Sequence, residues 1–127
     1  IWGGDIDPRA VEIARANAEK AGVEDLVRFQ VADALSFRRE APYGRIVTNP
    51  PYGERIMEKR EAEDLYRGFG RAFSGLPGGW ALTLLSSHTE FERTFGRRAD
   101  KKRKLYNGML KCDMFYYGKR RGADEKN

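Results

Sequence analysis

The chain has 127 residues, 40% of them hydrophobic, which is enough apolar material for one core with little surplus. No apolar run approaches the roughly 18–20 residues of a membrane-crossing helix, nothing at the start reads as a signal peptide, and the single cysteine, Cys112, excludes an internal disulfide. One thiol is no metal site, and a reducing, cytoplasmic compartment fits it. The net charge of +5 is unevenly spread, because residues 93–121 carry eleven Lys/Arg against Asp100 and Asp113.

In chain order, Ile1–Asp7 reads as a buried strand. Asp7 then has the character of an N-cap and Pro8 that of a first helical residue. Val11, Ala14, Ala18 and Ala21 recur at helical spacing, and Gly22 is placed to end that helix. Leu26–Val31 reads as a short strand with Asp33-Ala34 at its end. Arg45–Thr48 is a second one, running into Asn49-Pro50-Pro51-Tyr52, where two prolines stop it.

The charged residues 54–61 are expected to form a loop before a helix striped by Leu65, Phe69, Ala72 and Phe73. Pro77-Gly78-Gly79 is a turn, and Trp80–Leu85 is apolar enough for a central strand. Ser87-His88-Thr89-Glu90 has the pattern of a capping box. It precedes a helix that buries Phe91 and Phe95 and is closed by Gly96. Lys102–Tyr106 and Lys111–Tyr117 read as two strands joined at Asn107-Gly108. Alternation of strands and helices ending in a hairpin predicts an α/β fold with a mostly parallel sheet.

In such sheets ligands sit beyond the carboxyl ends of the strands. Asp5, in Gly3-Gly4-Asp5-Ile6-Asp7, is placed to accept from both hydroxyls of a ribose. Asp33-Ala34 is placed to meet an adenine edge, the carboxylate accepting from the amino group and a backbone N–H donating to a ring nitrogen. The plain alternative is an Asp that satisfies its own turn.

The most informative stretch is Asn49-Pro50-Pro51-Tyr52. A planar amino group on a base is a poor nucleophile because its lone pair is delocalised into the ring. Asn49's side-chain oxygen and the Pro50 carbonyl can accept both N–H bonds and aim the lone pair at a methyl donor, and the prolines stiffen the loop. Tyr52 offers a face for an extruded base. Glu54 and Arg55 follow as candidate substrate contacts, with an exposed ion pair as the plain alternative. His88, the one histidine, reads as structural, and Trp80, Cys112 and Phe69, Phe73, Phe91 and Phe95 as core.

Taken together, GGDIDPRAVEIARANAEKAGV, VADAL, TNPPYGERI and KLYNGMLKCDMFYYGK resemble a class I S-adenosylmethionine-dependent methyltransferase of the amino-methylating branch. Within it, the chain is most similar to the THUMP-containing bacterial 23S rRNA guanine-N2 methyltransferases, often labelled N6-adenine-specific DNA methylases. The resemblance implies a seven-stranded Rossmann-like sheet whose last strand is antiparallel. It also implies that S-adenosylmethionine is held by Asp5, Ile6, Asp33 and Ala34, with Asn49–Tyr52 as the catalytic loop and Asn49 also meeting the cofactor.

The family's glycine-rich first motif and THUMP domain do not occur in the sequence. The expectation is therefore a partial methyltransferase sheet without its first strand and glycine loop. Residues 1–121 would be the C-terminal part of the catalytic domain and 122–127 a frayed tail. An N-terminal part or a second chain would complete the sheet before cofactor binds well.

The expected partner is ribosomal RNA. Competing readings keep the site but change the substrate, to adenine N6 in nucleic acid or glutamine N5 in a protein. Another makes the piece a non-catalytic RNA-binding module, its basic band meeting a polyanion.

Overall fold

The computed structural model describes residues 1–50, 56–108 and 110–118. They fall into two compact units, Ile1–Phe37 and Arg38 onward.

In the first unit, β1 (Trp2–Asp5) and β2 (Arg28–Val31) pair in parallel, from Trp2 opposite Arg28 to Asp5 opposite Val31. Between them runs α1 (Pro8–Lys20). It starts as the residues dictate: Pro8 opens the first turn, and Asp7 caps it by accepting a hydrogen bond from the Arg9 N–H at 2.9 Å. Gly22 turns the chain at φ 74° just beyond its end. Val11 and Ala18, seven residues apart on one face, are the buried apolar side chains of this unit.

The expectation of a buried first strand does not hold here, since Ile1 is 84% and Trp2 59% exposed. A two-stranded sheet has little interior, and α1 covers it with side chains no larger than valine at its buried positions. The second strand starts at Arg28 rather than Leu26, because Leu26 N–H is spent on a turn to the Val23 carbonyl.

In the second unit, β3 (Tyr43–Thr48), α2 (Ile56–Ser74), β4 (Gly79–Ser86), α3 (Phe91–Phe95), β5 (Lys101–Asn107) and β6 (Leu110–Tyr117) build a four-stranded sheet of order β3-β4-β6-β5. β3 and β4 are parallel. β6 is antiparallel to both β4 and β5, so β3, β4 and β5 all point one way. The crossover through α3 leaves one strand's width beside β4, and the hairpin fills it by returning the chain in the opposite sense. The predicted mostly parallel sheet with a closing antiparallel strand is thus observed, among the described residues as six strands in two sheets.

Four local expectations change. Residues 56–61 are helical rather than loop. Met, Glu, Lys and Arg are good helix formers, and their charges face water while the apolar stripe begins at Ala62. That stripe is Ala62, Tyr66, Phe69 and Phe73, all buried, whereas Leu65 and Ala72 are only half-buried. The capping box does not form, because α3 begins at Phe91 with Glu90 at its N-cap and no side-chain cap bond. At the hairpin, Asn107 still pairs with Leu110, so it belongs to the strand and the chain turns from Gly108, at φ 67°.

The core lies between β4–β6 and the two helices. Phe91 meets Phe115 at a ring-centroid distance of 4.6 Å, Phe95 meets Tyr117 at 4.7 Å, and Tyr66 meets Phe91 edge-on at 4.9 Å. Such pairs contribute about 0.5–1.5 kcal/mol each beyond their buried area. Cys112 is a small buried core residue as read from the sequence. Trp80 is half-buried, its ring over Gly44 and its indole N–H donating to the Ala41 carbonyl at 2.9 Å. Among the described residues no helix is long and apolar enough to cross a membrane.

Candidate functional site

The candidates fall at the carboxyl ends of parallel strands. In the first unit, Asp5 ends β1 and Asp33 follows β2, whose register sets Val31 opposite Asp5. The Ala32 N–H donates to the Asp5 carbonyl at 2.9 Å, tying the two strand ends together. Each carboxylate uses Oδ1 to shape its own loop: Asp5 accepts from the Asp7 N–H and Asp33 from the Leu35 N–H, both at 2.9 Å.

The turn-satisfying role weighed for Asp33 is therefore present, and Asp33 caps a single 3-10 turn, Ala34–Ser36. Both carboxylates are nonetheless exposed, and no second hydrogen bond occupies Oδ2 of either among the described residues. Ile6, 67% exposed, stands between Asp5 and the cap Asp7. An acceptor pair on adjacent strand ends beside an exposed aliphatic face has the chemistry to hold a nucleoside.

In the second unit, Asn49 follows β3 directly. It is exposed and Pro50 is half-buried, while Pro51, Tyr52, Glu54 and Arg55 lie outside the described residues. Thr48 pairs with Leu84 in the parallel ladder, which sets Asn49-Pro50 alongside the last residues of β4.

Behind that edge lies a polar network that the sequence reading missed. Tyr66 Oη and Ser86 Oγ are 3.0 Å apart, Ser86 Oγ accepts from the His88 N–H at 3.1 Å, and His88 Nε2 is 2.9 Å from Glu63 Oε2. Ser86 is fully buried and His88 nearly so. Asp113, opposite Ser86 on β6, has a buried Oδ1 without a hydrogen-bond partner among the described residues. His88 is thus structural, as read, but through Glu63 on α2 rather than through a helix cap. The available signal was the spacing of Glu63 and Tyr66, three apart on one helix face.

The consequence is positional. β3, through its ladder, and α2, through Tyr66 and Glu63, are held to the same end of β4.

The basic band is only partly available to a partner. Arg97 sits 3.7 Å from Asp100 and lies over the Tyr117 ring, and Lys102 is 3.3 Å from Glu92. Arg98, Lys101, Arg103, Lys104 and Lys111 are exposed and have no carboxylate within ion-pair distance among the described residues.

Known proteins match this chain in sequence and fold. Ribosomal RNA large subunit methyltransferase K/L of Shewanella baltica is 43% identical over 92% of the chain, which covers 16% of that protein. The crystal structure of a possible methylase from Clostridium difficile 630 matches 94% of the chain at 49% identity and TM-score 0.92, and the chain covers 32% of it. SMU.472, crystallised in complex with SAH, matches 94% of the chain at 45% identity and TM-score 0.88, again with 32% of that protein covered. The chain spans less than a third of the length of the curated relatives it matches first. The fold is therefore that of Rossmann-like methyltransferases. Residues 1–115 match the family described as RMKL-like, methyltransferase domain, and the chain belongs to that family.

Proposed function

We propose that this chain is part of a cytoplasmic enzyme that methylates the exocyclic N2 of a guanine in 23S rRNA, with S-adenosylmethionine as methyl donor. The observation that supports this best is Asn49-Pro50, presented at the end of parallel strand β3 with the asparagine exposed. The K/L relative is named for ribosomal RNA, and the SMU.472 structure was obtained with SAH.

The residues fit the cofactor. Asp5 Oδ2 is open to ribose hydroxyls, Asp33 Oδ2 to an adenine amino group, and Ile6 to the face of the ring. When bound, the cofactor supplies an activated methyl group. The remaining work belongs to the protein's own groups. Asn49 Oδ1 and the Pro50 carbonyl accept the two N–H bonds of the amino group and orient its lone pair. Tyr52 supplies a face for the extruded base, and Glu54 and Arg55 contact the substrate around it. No side chain needs a perturbed acid–base character, because the amino proton becomes acidic once nitrogen carries positive charge.

Asn49→Ala in the full-length protein tests this. Because the side chain is exposed, thermal stability should stay within about 0.5 kcal/mol, while methyl incorporation into undermodified ribosomes falls by roughly a hundredfold or more. Undiminished incorporation would sink the proposal. Running DNA and a protein release factor beside the ribosomes separates guanine N2 from adenine N6 and glutamine N5.

A further inference from the structure

We propose that the β5–β6 hairpin is a second RNA contact, in which Tyr106 stacks on a base flanking the target and Lys104 and Lys111 hold the adjoining phosphates. This rests on the RNA-methylating reading above and adds a binding element outside the strand-end residues.

The placement follows from register. Ser86 at the end of β4 pairs with Asp113, and Asp113 pairs in turn with Lys104, so Lys104 is level with the carboxyl edge of β4. β5 points the same way as β3 and β4 and continues to Asn107. Three further residues at strand rise put the hairpin tip about 10 Å beyond that edge. Asn49-Pro50 emerges at the same edge, three strands over in the order β3-β4-β6-β5, or about 14 Å at ordinary strand spacing. A single RNA strand with its target base at Asn49 reaches the hairpin within a few nucleotides.

The surface has matching chemistry. Tyr106 is 73% exposed. It lies directly across from Lys111 and two residues from Lys104, so all three share one face of the hairpin. Both lysines are exposed, with no ion pair among the described residues. A lysine-rich edge strand alone is accounted for as protection against edge-to-edge pairing. That account does not cover a large aromatic left in water between two cations. Base stacking on an aromatic ring together with lysine–phosphate contacts is how single strands are commonly held.

The test uses the full-length protein and an unmodified 23S rRNA transcript. Tyr106→Ala should weaken binding roughly tenfold, with Tyr106→Phe close to wild type, since stacking needs the ring and not the hydroxyl. Replacing Lys104 and Lys111 together by alanine should lower the slope of log affinity against log salt by about 1.4, two lysines at about 0.7 each on a single strand. Circular dichroism melts serve as the folding control, and the exposure of all three side chains predicts unchanged melts. Unchanged RNA affinity and salt slope in these variants, while Asn49→Ala still abolishes methylation, overturns the hairpin contact and leaves the catalytic reading standing. Methylation that survives Asn49→Ala defeats the catalytic reading instead, whatever the hairpin variants do.

Discussion

At the scale of single residues, close packing overrides local propensity. Gly70 lies inside α2, where alanine is ordinarily the better helix former by about 1 kcal/mol. Here a Cβ would fall on the carbonyl oxygen of Phe95, so α2 and α3 touch through backbone at this point. Gly70→Ala should therefore lower stability, by up to about 2 kcal/mol once the propensity gain is subtracted from the overpacking cost. Urea unfolding measures it, and a stabilised variant would show that the helices separate easily. Nothing in the sequence around Gly70 announces this contact, because its partner lies 25 residues away. Asp7 and Pro8, by contrast, declare the start of α1 through their own chemistry, and the structure agrees.

At the scale of elements, α3 is too short to hold itself and depends on side-chain ties. Glu92 supplies them: Oε2 accepts from the Ala99 N–H at 2.7 Å and Oε1 from Lys102 at 3.3 Å, joining α3 to the start of β5. The Ala99 N–H, and after it Lys102, hold the Glu92 carboxyl below its ordinary value of 4.5. A depressed folded value means that the stabilisation is complete above the unfolded value and fades as pH falls through the folded one. Glu92→Gln should thus cost about 1 kcal/mol at neutral pH, discounted for partial exposure. The gap to wild type should close below pH 4.5. A gap independent of pH would mean that shape, not charge, makes the tie.

Tyr117 shows the opposite sign. Burial raises its hydroxyl above the ordinary 10, and it donates to the Arg97 carbonyl at 2.8 Å, so its contribution is lost only in strong alkali. Ser87–Glu90 misleads as a motif because α3 begins only at Phe91, with Glu90 at its N-cap and no side-chain cap bond.

At the scale of the whole molecule, the two compact units have unequal cores. The first buries only Val11 and Ala18 among its apolar side chains, whereas the second buries an aromatic cluster under β4 and β6. Hydrogen exchange should find the α1 amides opening at lower free energy than those of β4. Equal protection in both would mean that they unfold as one.

Much of this was legible from residues alone. Strand–helix alternation, Asn49-Pro50 at a strand end, acids at two others and a closing hairpin are local patterns, set by backbone chemistry and short-range periodicity. What folding alone decided is long-range: β6 inserting between β4 and β5, Ser86 meeting Tyr66, His88 meeting Glu63, and Tyr106 carried past the edge of the sheet. The Ser86–Tyr66, His88–Glu63 and β4–β6 pairings join residues 20 to 35 positions apart through register and packing, and one sequence window cannot encode which distant partner a buried polar group will find.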